Sequence, residues 1–537
     1  MKSTLIILSL LGLFFSFSVN AQEQFTVQIE PLTIAEAPNI HSYSWGKTSD
    51  GKWLIVGGRI DGLHRRQPWA AFLASDNNTD IILIDPITDE VWSTSLSVLP
   101  LPLFEQLQST NQEFIQRDNS LYVIGGYGYS ATAVDHITFS NLTAINIDGV
   151  ANAILNGTSI NSYFRQTTDS NLAVTGGQLG LIDEIFYLSG GQYFEGRYNP
   201  IGPGQGSGFI QEYTDEIRKF EIVDDGTNLS ISNFTMIHDT DNLHRRDYNM
   251  VPQIFPNGEL GLTMFSGVFH PVSDLPWLNS VDITPSGYQV NNSFSQLLNQ
   301  YHSAKLPIHD QAANNMHTII FGGLSQYYFD ANDNLIQDDE VPFVKTISKV
   351  TRASDGSMLE SKLDIEMPAF LGSGAEFIPI SDTQIFSESG ILNLNNLADG
   401  STHVGYIYGG IESSQENIFF INDGTQSEAS NLIFKVFINK GLLGTNEIAV
   451  NGDSFFNMIA YPNPSSGIFS IEFSVPNDDP LTISIIDLKG SLVQQEKIDA
   501  PEGRFTYLLD LANNASGEYI VIIKGSNLQT QTTLIKR

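Results

Sequence analysis

One phrase recurs through the middle of the chain: a few apolar residues, then two glycines. It stands as Leu54-Ile55-Val56-Gly57-Gly58, Tyr122-Val123-Ile124-Gly125-Gly126, Tyr187-Leu188-Ser189-Gly190-Gly191, Ile320-Phe321-Gly322-Gly323 and Ile407-Tyr408-Gly409-Gly410. A degenerate copy, Met264-Phe265-Ser266-Gly267, fills the widest gap, and successive second glycines then lie 68, 65, 76, 56 and 87 residues apart. Such spacing marks repeats of one supersecondary unit. A strand ending in two glycines turns sharply or lets another backbone approach closely, because no Cβ stands in the way. Upstream of most copies a turn introduces the strand, as in Ser49-Asp50-Gly51-Lys52, Arg117-Asp118-Asn119-Ser120 and Pro256-Asn257-Gly258-Glu259. Downstream comes a further strand carrying Asp and an aromatic, clearest from Ile81 to Trp92. Each repeat thus supplies short antiparallel strands, four to a propeller blade. Gly176-Gly177 lies only 14 residues before Gly190-Gly191 and reads as a turn.

Asp85, Pro86 and Trp92, following the first doublet, match the signature of the Kelch family, which this region resembles. Later repeats lack the Trp and carry inserted loops. The resemblance implies an all-β, six-bladed Kelch-like β-propeller over residues 22–445. The last repeat supplies Asn431 to Ile438 and then runs out before a fourth strand, while the strand-like Phe25 to Glu30 precedes the first repeat. Pairing the two completes the sixth blade and removes the unpaired edges. Composition agrees: Gly 45 with 41% hydrophobic and only 16% charged residues, and no long stretch with a 3.6-residue period, so the chain reads as nearly all β.

Both ends read as targeting segments. Met1-Lys2 opens a basic start, and Leu5 to Val19 is an apolar run ending in Ser18-Val19-Asn20-Ala21, a signal peptide over 1–21 cleaved near Ala21-Gln22. The run is too short for a stable span, and nothing later is predicted to cross a membrane as a helix. The chain has no Cys, which excludes disulfides, thiolate nucleophiles, lipid anchoring through Cys and a thioether-linked copper site. Residues 455–537 show alternating strands at Phe469–Phe473, Leu481–Asp487, Phe505–Leu511 and Glu518–Ile523, with turn signals at Lys489-Gly490 and Ser516-Gly517, a β-sandwich of about seven strands. Tyr461-Pro462-Asn463-Pro464-Ser465-Ser466-Gly467, Ile486-Asp487-Leu488-Lys489-Gly490, Gly517-Glu518-Tyr519 and the basic end Lys536-Arg537 closely resemble the type A C-terminal sorting domain of type IX secretion in Bacteroidetes. That resemblance implies the type IX machinery as partner, passage through the periplasm and outer membrane, and a final place at the cell surface or in the medium. Residues 446–454 read as the linker.

Sixty acids against 26 bases give a formal net charge of −34, which repels phosphate backbones and argues against nucleic acid. Function is expected in the inserted loops. In the first, Arg59, His64, Arg65, Arg66 and Trp69 cluster scarce cations beside an aromatic, a pattern suited to a carboxylate or sugar. His244-Arg245-Arg246 repeats the motif and reads as a buried contact between blades. In the second, Tyr193, Glu195 and Arg197, with Glu212, Asp215 and many aromatics, suit glycan stacking. In the third, Asp330, Asn332, Asn334 and Asp338 alternate oxygen ligands as a Ca²⁺ loop would, yet Leu335 and Val341 stand where such a loop has Gly and Glu, so a hairpin is the simpler reading. His41, His302 and His309 fall near the first strands of blades and read as satisfied polar residues. No paired carboxylates, His-x-x-x-His or nucleophile elbow appear, and Gly204-Gln205-Gly206 precedes no phosphate-binding helix. No cofactor is therefore expected, and the leading expectation is a binding module for a glycan or envelope protein. The alternative is an extracellular carbohydrate-active propeller enzyme of mutarotase or lyase type.

Overall fold

The computed structural model describes residues 25–200, 208–331, 333–441, 448–450, 459–461, 463–475, 479–487, 491–500, 503–525 and 529–537. The signal peptide, Gly204-Gln205-Gly206, Asn332, Pro462, Lys489-Gly490 and the linker apart from 448–450 lie outside them.

The chain is all-β. Each Gly-Gly repeat builds one sheet around four antiparallel strands; the fifth sheet also takes Leu392–Asn393, parallel to its first strand, and Ile448–Val450, and the sixth also takes Ser427–Ala429. The first holds Ser44–Lys47, Trp53–Val56, Asp80–Asp85 and Glu90–Ser95. The second holds Glu113–Arg117, Ser120–Ile124, Asn141–Asn146 and Phe164–Thr168. The third holds Gln178–Ile182, Ile185–Ser189, Glu216–Asp224 and Leu229–His238. The fourth, built on the degenerate copy, holds Asn249–Ile254, Leu260–Phe265, Ser280–Thr284 and Gly287–Asn291. The fifth holds Ala304–Asp310, Asn315–Leu324, Phe343–Arg352 and Met358–Glu366. The sixth has three strands from its own repeat, Phe370–Pro379, Gly400–Ser413 and Ile433–Lys440. Its fourth is Phe25–Leu32, paired from Phe25 opposite Lys440 to Leu32 opposite Ile433. The pairing expected from the missing strand is present.

Consecutive sheets share cores. Leu54, Val56 and Leu83 of the first pack with Leu121, Val123 and Ile145 of the second. Ile378, Tyr406 and Tyr408 of the sixth pack with Tyr43, Trp53 and Ile55 at the first. Phe25 and Val27 join the core between the fifth and sixth. The doublets explain how the sheets come so close. Both glycines of every repeat doublet lie in the left-handed region, from Gly190 at φ 57° to Gly323 at φ 102°, and Ser266 takes φ 57° where the fourth repeat lacks its first Gly. The second glycine donates its N–H to a carbonyl leading into the next sheet: Gly58 to Ser109, Gly126 to Val174, Gly191 to Arg245 and Gly410 to Ile40, all at 2.7–2.9 Å. A Cβ on Gly125 would stand 2.0 Å from the Val174 carbonyl oxygen, and one on Gly322 1.9 Å from that of Leu371.

Two short helices depart from the reading as nearly all β. Leu101–Leu107 precedes the second sheet, and Ile147–Asn156 fills one of its connections. The longer helix starts where Asn146 Oδ1 accepts from Gly149 N–H at 2.7 Å and stops at Gly157 in the left-handed region, burying Ile147, Val150, Ala151 and Ala153. Ten residues are too few for a periodic signal to stand out. Among the described residues no helix is long and apolar enough to cross a membrane. Ile448–Val450, expected in the linker, instead pairs along the outer edge of Met358–Glu366, because an open edge accepts any extended backbone within reach.

Seven strands make the C-terminal sandwich. Ile459–Tyr461, Ile468–Val475 and Gly503–Asp510 form one sheet, and Leu492–Ala500, Asp479–Asp487, Gly517–Lys524 and Gln529–Lys536 the other. Their inward residues, among them Phe469, Phe473, Ile483, Leu509, Val521 and Leu534, make one core. The two ends of the motif meet: Ile535 N–H donates to Asn463 Oδ1 at 2.8 Å, and Arg537 N–H to the Ser465 carbonyl at 2.8 Å. Lys536 is buried and its Nζ donates to the carbonyls of Ala512 and Asn514.

Candidate functional site: a loop face rich in arginine and aromatic residues

Every doublet ends the second strand of its sheet, so the connections from second to third strands all leave on one face. All three candidate loops, 59–79, 192–215 and 325–342, are such connections. The starts of the first strands and the segments leading into them lie on the same face, where six residues follow one pattern. Ser42, Asn111, Gly176, Asp247, His302 and Gly374 all have φ between 50° and 72°. Their backbones link sheet to sheet: Asn111 N–H to Ser42 O at 3.3 Å, Gly176 to Asn111 at 3.2 Å, Asp247 to Gly176 at 2.7 Å, Gly374 to His302 at 2.7 Å and Ser42 to Gly374 at 2.8 Å. Between Asp247 and His302 the link runs through Ser303 N–H to Asn249 Oδ1 at 2.9 Å. The turn at Gly176-Gly177 thus belongs to this set.

The first two candidate loops converge. The His64 ring stacks on Phe72 at 4.9 Å, meets Tyr198 edge-on at 4.9 Å and lies 6.0 Å from Phe419. Burial there, with Arg246 and Arg59 nearby, lowers the His64 pKa to about 4, so the ring is neutral at pH 7. Arg66 lies over Phe419 and Phe420 at 5.3 and 4.7 Å, and its Nε is buried without a hydrogen-bond partner. Arg65 Nη1 reaches the Asp423 carbonyl at 3.3 Å and Arg197 Nη1 the Trp69 carbonyl at 3.5 Å. Trp69 and Phe420 are 63% and 59% exposed, the only exposed aromatic side chains among the described residues.

Other expected site residues are tied up. Arg59 is 2% exposed and holds Asp61 through two bonds of 2.7 Å, with Asn77 Oδ1 at 2.8 Å. Tyr193 donates to Glu195 Oε2 at 2.5 Å, which pushes its hydroxyl pKa up to about 12. Arg245 is fully buried, donates to the carbonyls of Asn242, Ser266 and Asn279, and lies 4.4 Å over the Trp277 ring. It is buried, as expected of the repeated motif, but its side-chain bonds stay within the fourth repeat rather than joining two blades, and its burial lowers its pKa to about 9. Arg246 pairs with Asp247 and donates to the Tyr213 hydroxyl at 3.1 Å, while His244 stacks 3.8 Å from the Tyr213 ring and contacts Asp215 at 2.8 Å. His41 and His302 lie in the segments before first strands, and burial lowers the His302 pKa to about 4. His309 lies within Ala304–Asp310.

The third loop does not join the cluster. Tyr327–Phe329 and Leu335–Gln337 pair as a hairpin, Asn334 takes up the Asp330 carboxylate at 2.9–3.2 Å, and Asp338 meets Asn417 at 2.8 Å. Among the described residues no three His, Asp or Glu side chains gather as metal ligands. A polar cleft of about 430 Å³ lies at the opposite strand ends, lined by Arg117, Tyr122, Arg165 and Asp224, but Arg165 and Asp224 already bind each other at 2.5–2.7 Å. Sequence reasoning missed Phe419, Phe420 and Asp247. The run Ile418-Phe419-Phe420-Ile421 reads as core, and nothing local shows that it crowns a loop beside Arg66.

Residues 459–537 match the family described as secretion system C-terminal sorting domain, so the C-terminal sandwich is such a domain, one that indicates type IX export to the cell surface or medium. Among solved structures, one of YjhT is similar at 10% identity and a TM-score of 0.41, covering 76% of this chain and 100% of that one. A fungal alcohol oxidase of the AA5 family in complex with copper is similar at 8% identity and a TM-score of 0.37, covering 96% and 100%. No curated protein matches the sequence.

Proposed function

We propose that residues 22–445 are a closed six-bladed Kelch-like β-propeller, exported by type IX secretion, that acts as a binding module through its doublet-end face. The propeller reading is supported by six successive sheets, each built around four antiparallel strands, and by the latch from Gly410 back to Ile40. The binding reading rests on one observation: loops from three different sheets bring His64, Arg66, Trp69, Tyr198 and Phe420 together with two aromatic rings left in solvent. Exposed aromatics on a fixed scaffold are costly unless something covers them. The ligand class is a glycan or an envelope protein. A glycan array and a pull-down from cell envelopes, both using the mature chain, test this; a ligand lost on Trp69→Ala is expected, and two empty experiments would remove the reading.

The second reading is a carbohydrate-active enzyme of mutarotase or lyase type. It is favoured by the same convergence and by Glu113, buried beside the Gly176-Gly177 turn, with Oε1 accepting from Gly177 N–H at 2.9 Å and Oε2 unpartnered. Burial raises its pKa well above the usual carboxylate range, as a general acid requires. Sugar anomer exchange or chain cleavage by the mature protein, abolished in Glu113→Gln, would favour this reading over simple binding.

A further inference from the structure

The arginines of the β-sheet body divide into two groups. Arg59, Arg117, Arg165, Arg218, Arg246 and Arg352 each hold a carboxylate within 4 Å, at Asp61, Glu184, Asp224, Glu216, Asp247 and Asp282. Arg245 is satisfied by backbone carbonyls. Arg65, Arg66 and Arg197 have no carboxylate partner among the described residues. In a chain with 60 acids and 26 bases, an unpaired arginine is the exception, because acidic side chains are plentiful everywhere. All three fall in one patch, beside the two exposed aromatic rings. Three of the carboxylates nearby are engaged: Asp61 by Arg59, Glu195 by Tyr193, and Asp423 by Thr425, whose hydroxyl lies 2.7 Å from its Oδ1. His64 is held neutral in the aromatic cluster and adds no charge at pH 7.

We propose that this patch binds an anionic glycan, with sugar rings stacked on Trp69 and Phe420 and a carboxylate or sulfate ester on the guanidinium groups of Arg65, Arg66 and Arg197. The inference rests on the binding reading above and names its ligand class. Arg66 is the centre: the faces of Phe419 and Phe420 fix its guanidinium plane, its Nε is buried, and its two Nη groups, which make no hydrogen bond among the described residues, are the donors left for an acceptor from outside. A planar guanidinium takes a carboxylate or sulfate by paired charge-assisted bonds. The surrounding negative field repels polyanions, so only a ligand that also stacks on the rings gains enough to remain bound.

Titration calorimetry on the mature chain tests this with four probes: polygalacturonate, dextran sulfate, neutral dextran and inorganic sulfate. Binding is expected for one or both anionic polymers, weakening as salt rises, with neutral dextran and inorganic sulfate at least tenfold weaker. Preference between polygalacturonate and dextran sulfate separates carboxylate from sulfate ester. Arg66→Gln and Arg65→Gln should each weaken binding about tenfold, Arg66→Lys less, and Arg117→Gln on the opposite face not at all, with melting curves confirming that each variant folds. If neutral dextran binds as well and loses affinity only in Trp69→Ala, the binding module stands and the anionic ligand is wrong. If inorganic sulfate binds as tightly as the polymers, the patch is an ion site and the glycan is wrong. If no glycan binds, this inference fails, and the binding reading then depends on the envelope pull-down alone.

Discussion

The six-sheet body and the C-terminal sandwich solve the same problem in opposite ways. Each must bury the faces of short strands. The body does so by passing every face to the next sheet, so its cores are shared, and the first strand of the chain is needed to finish the last sheet. The sandwich folds two sheets onto each other and keeps its core to itself: every member, from Phe469 to Leu534, comes from within the domain. A fold that shares cores around its length is cooperative from end to end; one that keeps its core is portable. Portability is what a sorting domain requires.

The largest break in that contrast comes from removing residues 22–36. The loss takes Phe25 and Val27 from the core between the fifth and sixth sheets and leaves Ile433–Lys440 paired on one side only, to Gly400–Ser413. Burial of a Phe and a Val alone is worth about 5 kcal/mol, so the melting temperature of the body should fall by on the order of 10 °C. Calorimetry should show the sandwich transition unmoved. An unchanged body transition would mean that the terminal strand does not hold the sheets together.

Next comes Gly322→Ala. A Cβ there would stand 1.9 Å from the Leu371 carbonyl oxygen, at φ 60°. Backbone cannot yield as a flexible side chain does, and the left-handed conformation adds strain, so the cost is about 3 kcal/mol or more. Gly208→Ala, with nothing within 4 Å, is the control and should be neutral. Equal melting of the two variants would sink the role given to the doublets as contacts between sheets.

How much of this was legible in the sequence follows from where the information sits. Doublets, turns and the missing fourth strand are local or countable, and they gave the sheets, their order and the pairing of Phe25 with the end of the body. The sandwich was legible because its motifs are dense over a short span. The loop cluster was legible only in part. Arg66 and Trp69 stood out because cations are scarce, but their partner Phe420 lies some 350 residues away and looks like core. Arg59 looked like a ligand and is spent on Asp61, two residues along, a pairing that sequence allows but does not demand. The ring of Ser42, Asn111, Gly176, Asp247, His302 and Gly374 escaped notice because what those positions share is a backbone angle, and residues as different as His and Ser can adopt it.

A smaller effect sharpens the contrast through pH. Glu360, 0% exposed in the fifth sheet, accepts from Leu298 N–H at 2.9 Å, and burial raises its pKa to about 8. Its unfolded value is about 4.3. Between those values the folded body holds a proton that the unfolded chain has lost, so stability falls as pH rises from about 5 to 8, by on the order of 3 kcal/mol. Glu360→Gln removes this slope. Any constant offset from the amide shifts the whole curve and leaves the slope as the readout. The difference between denaturant melts of the body at pH 5 and pH 8 should be smaller in the variant than in the parent; an equal difference would mean that Glu360 titrates normally.

The smallest effect on the body is expected from the largest deletion. Removing residues 455–537 takes away the whole sandwich, yet among the described residues no core cluster of the body contains a residue from it, and Ile448–Val450, which lies along the fifth sheet, is retained. The body transition should therefore move by no more than about 1 °C, because no apolar area of the body is newly exposed. Export should respond in the opposite sense. The truncated chain should be folded and trapped in the periplasm, and residues 455–537, fused with the signal peptide to an inert cargo, should carry that cargo to the surface or medium. Within the sandwich, Lys536 is buried and ties the loop at Ala512 to the last strand, whereas Arg537 is exposed. Lys536→Ala should thus lower sandwich stability, while Arg537→Ala leaves it unchanged. A body that melts several degrees lower without the sandwich would show that the two share stability after all. A truncated chain that still reached the surface in normal amounts would mean that the sandwich is not the address, whatever its independence as a fold.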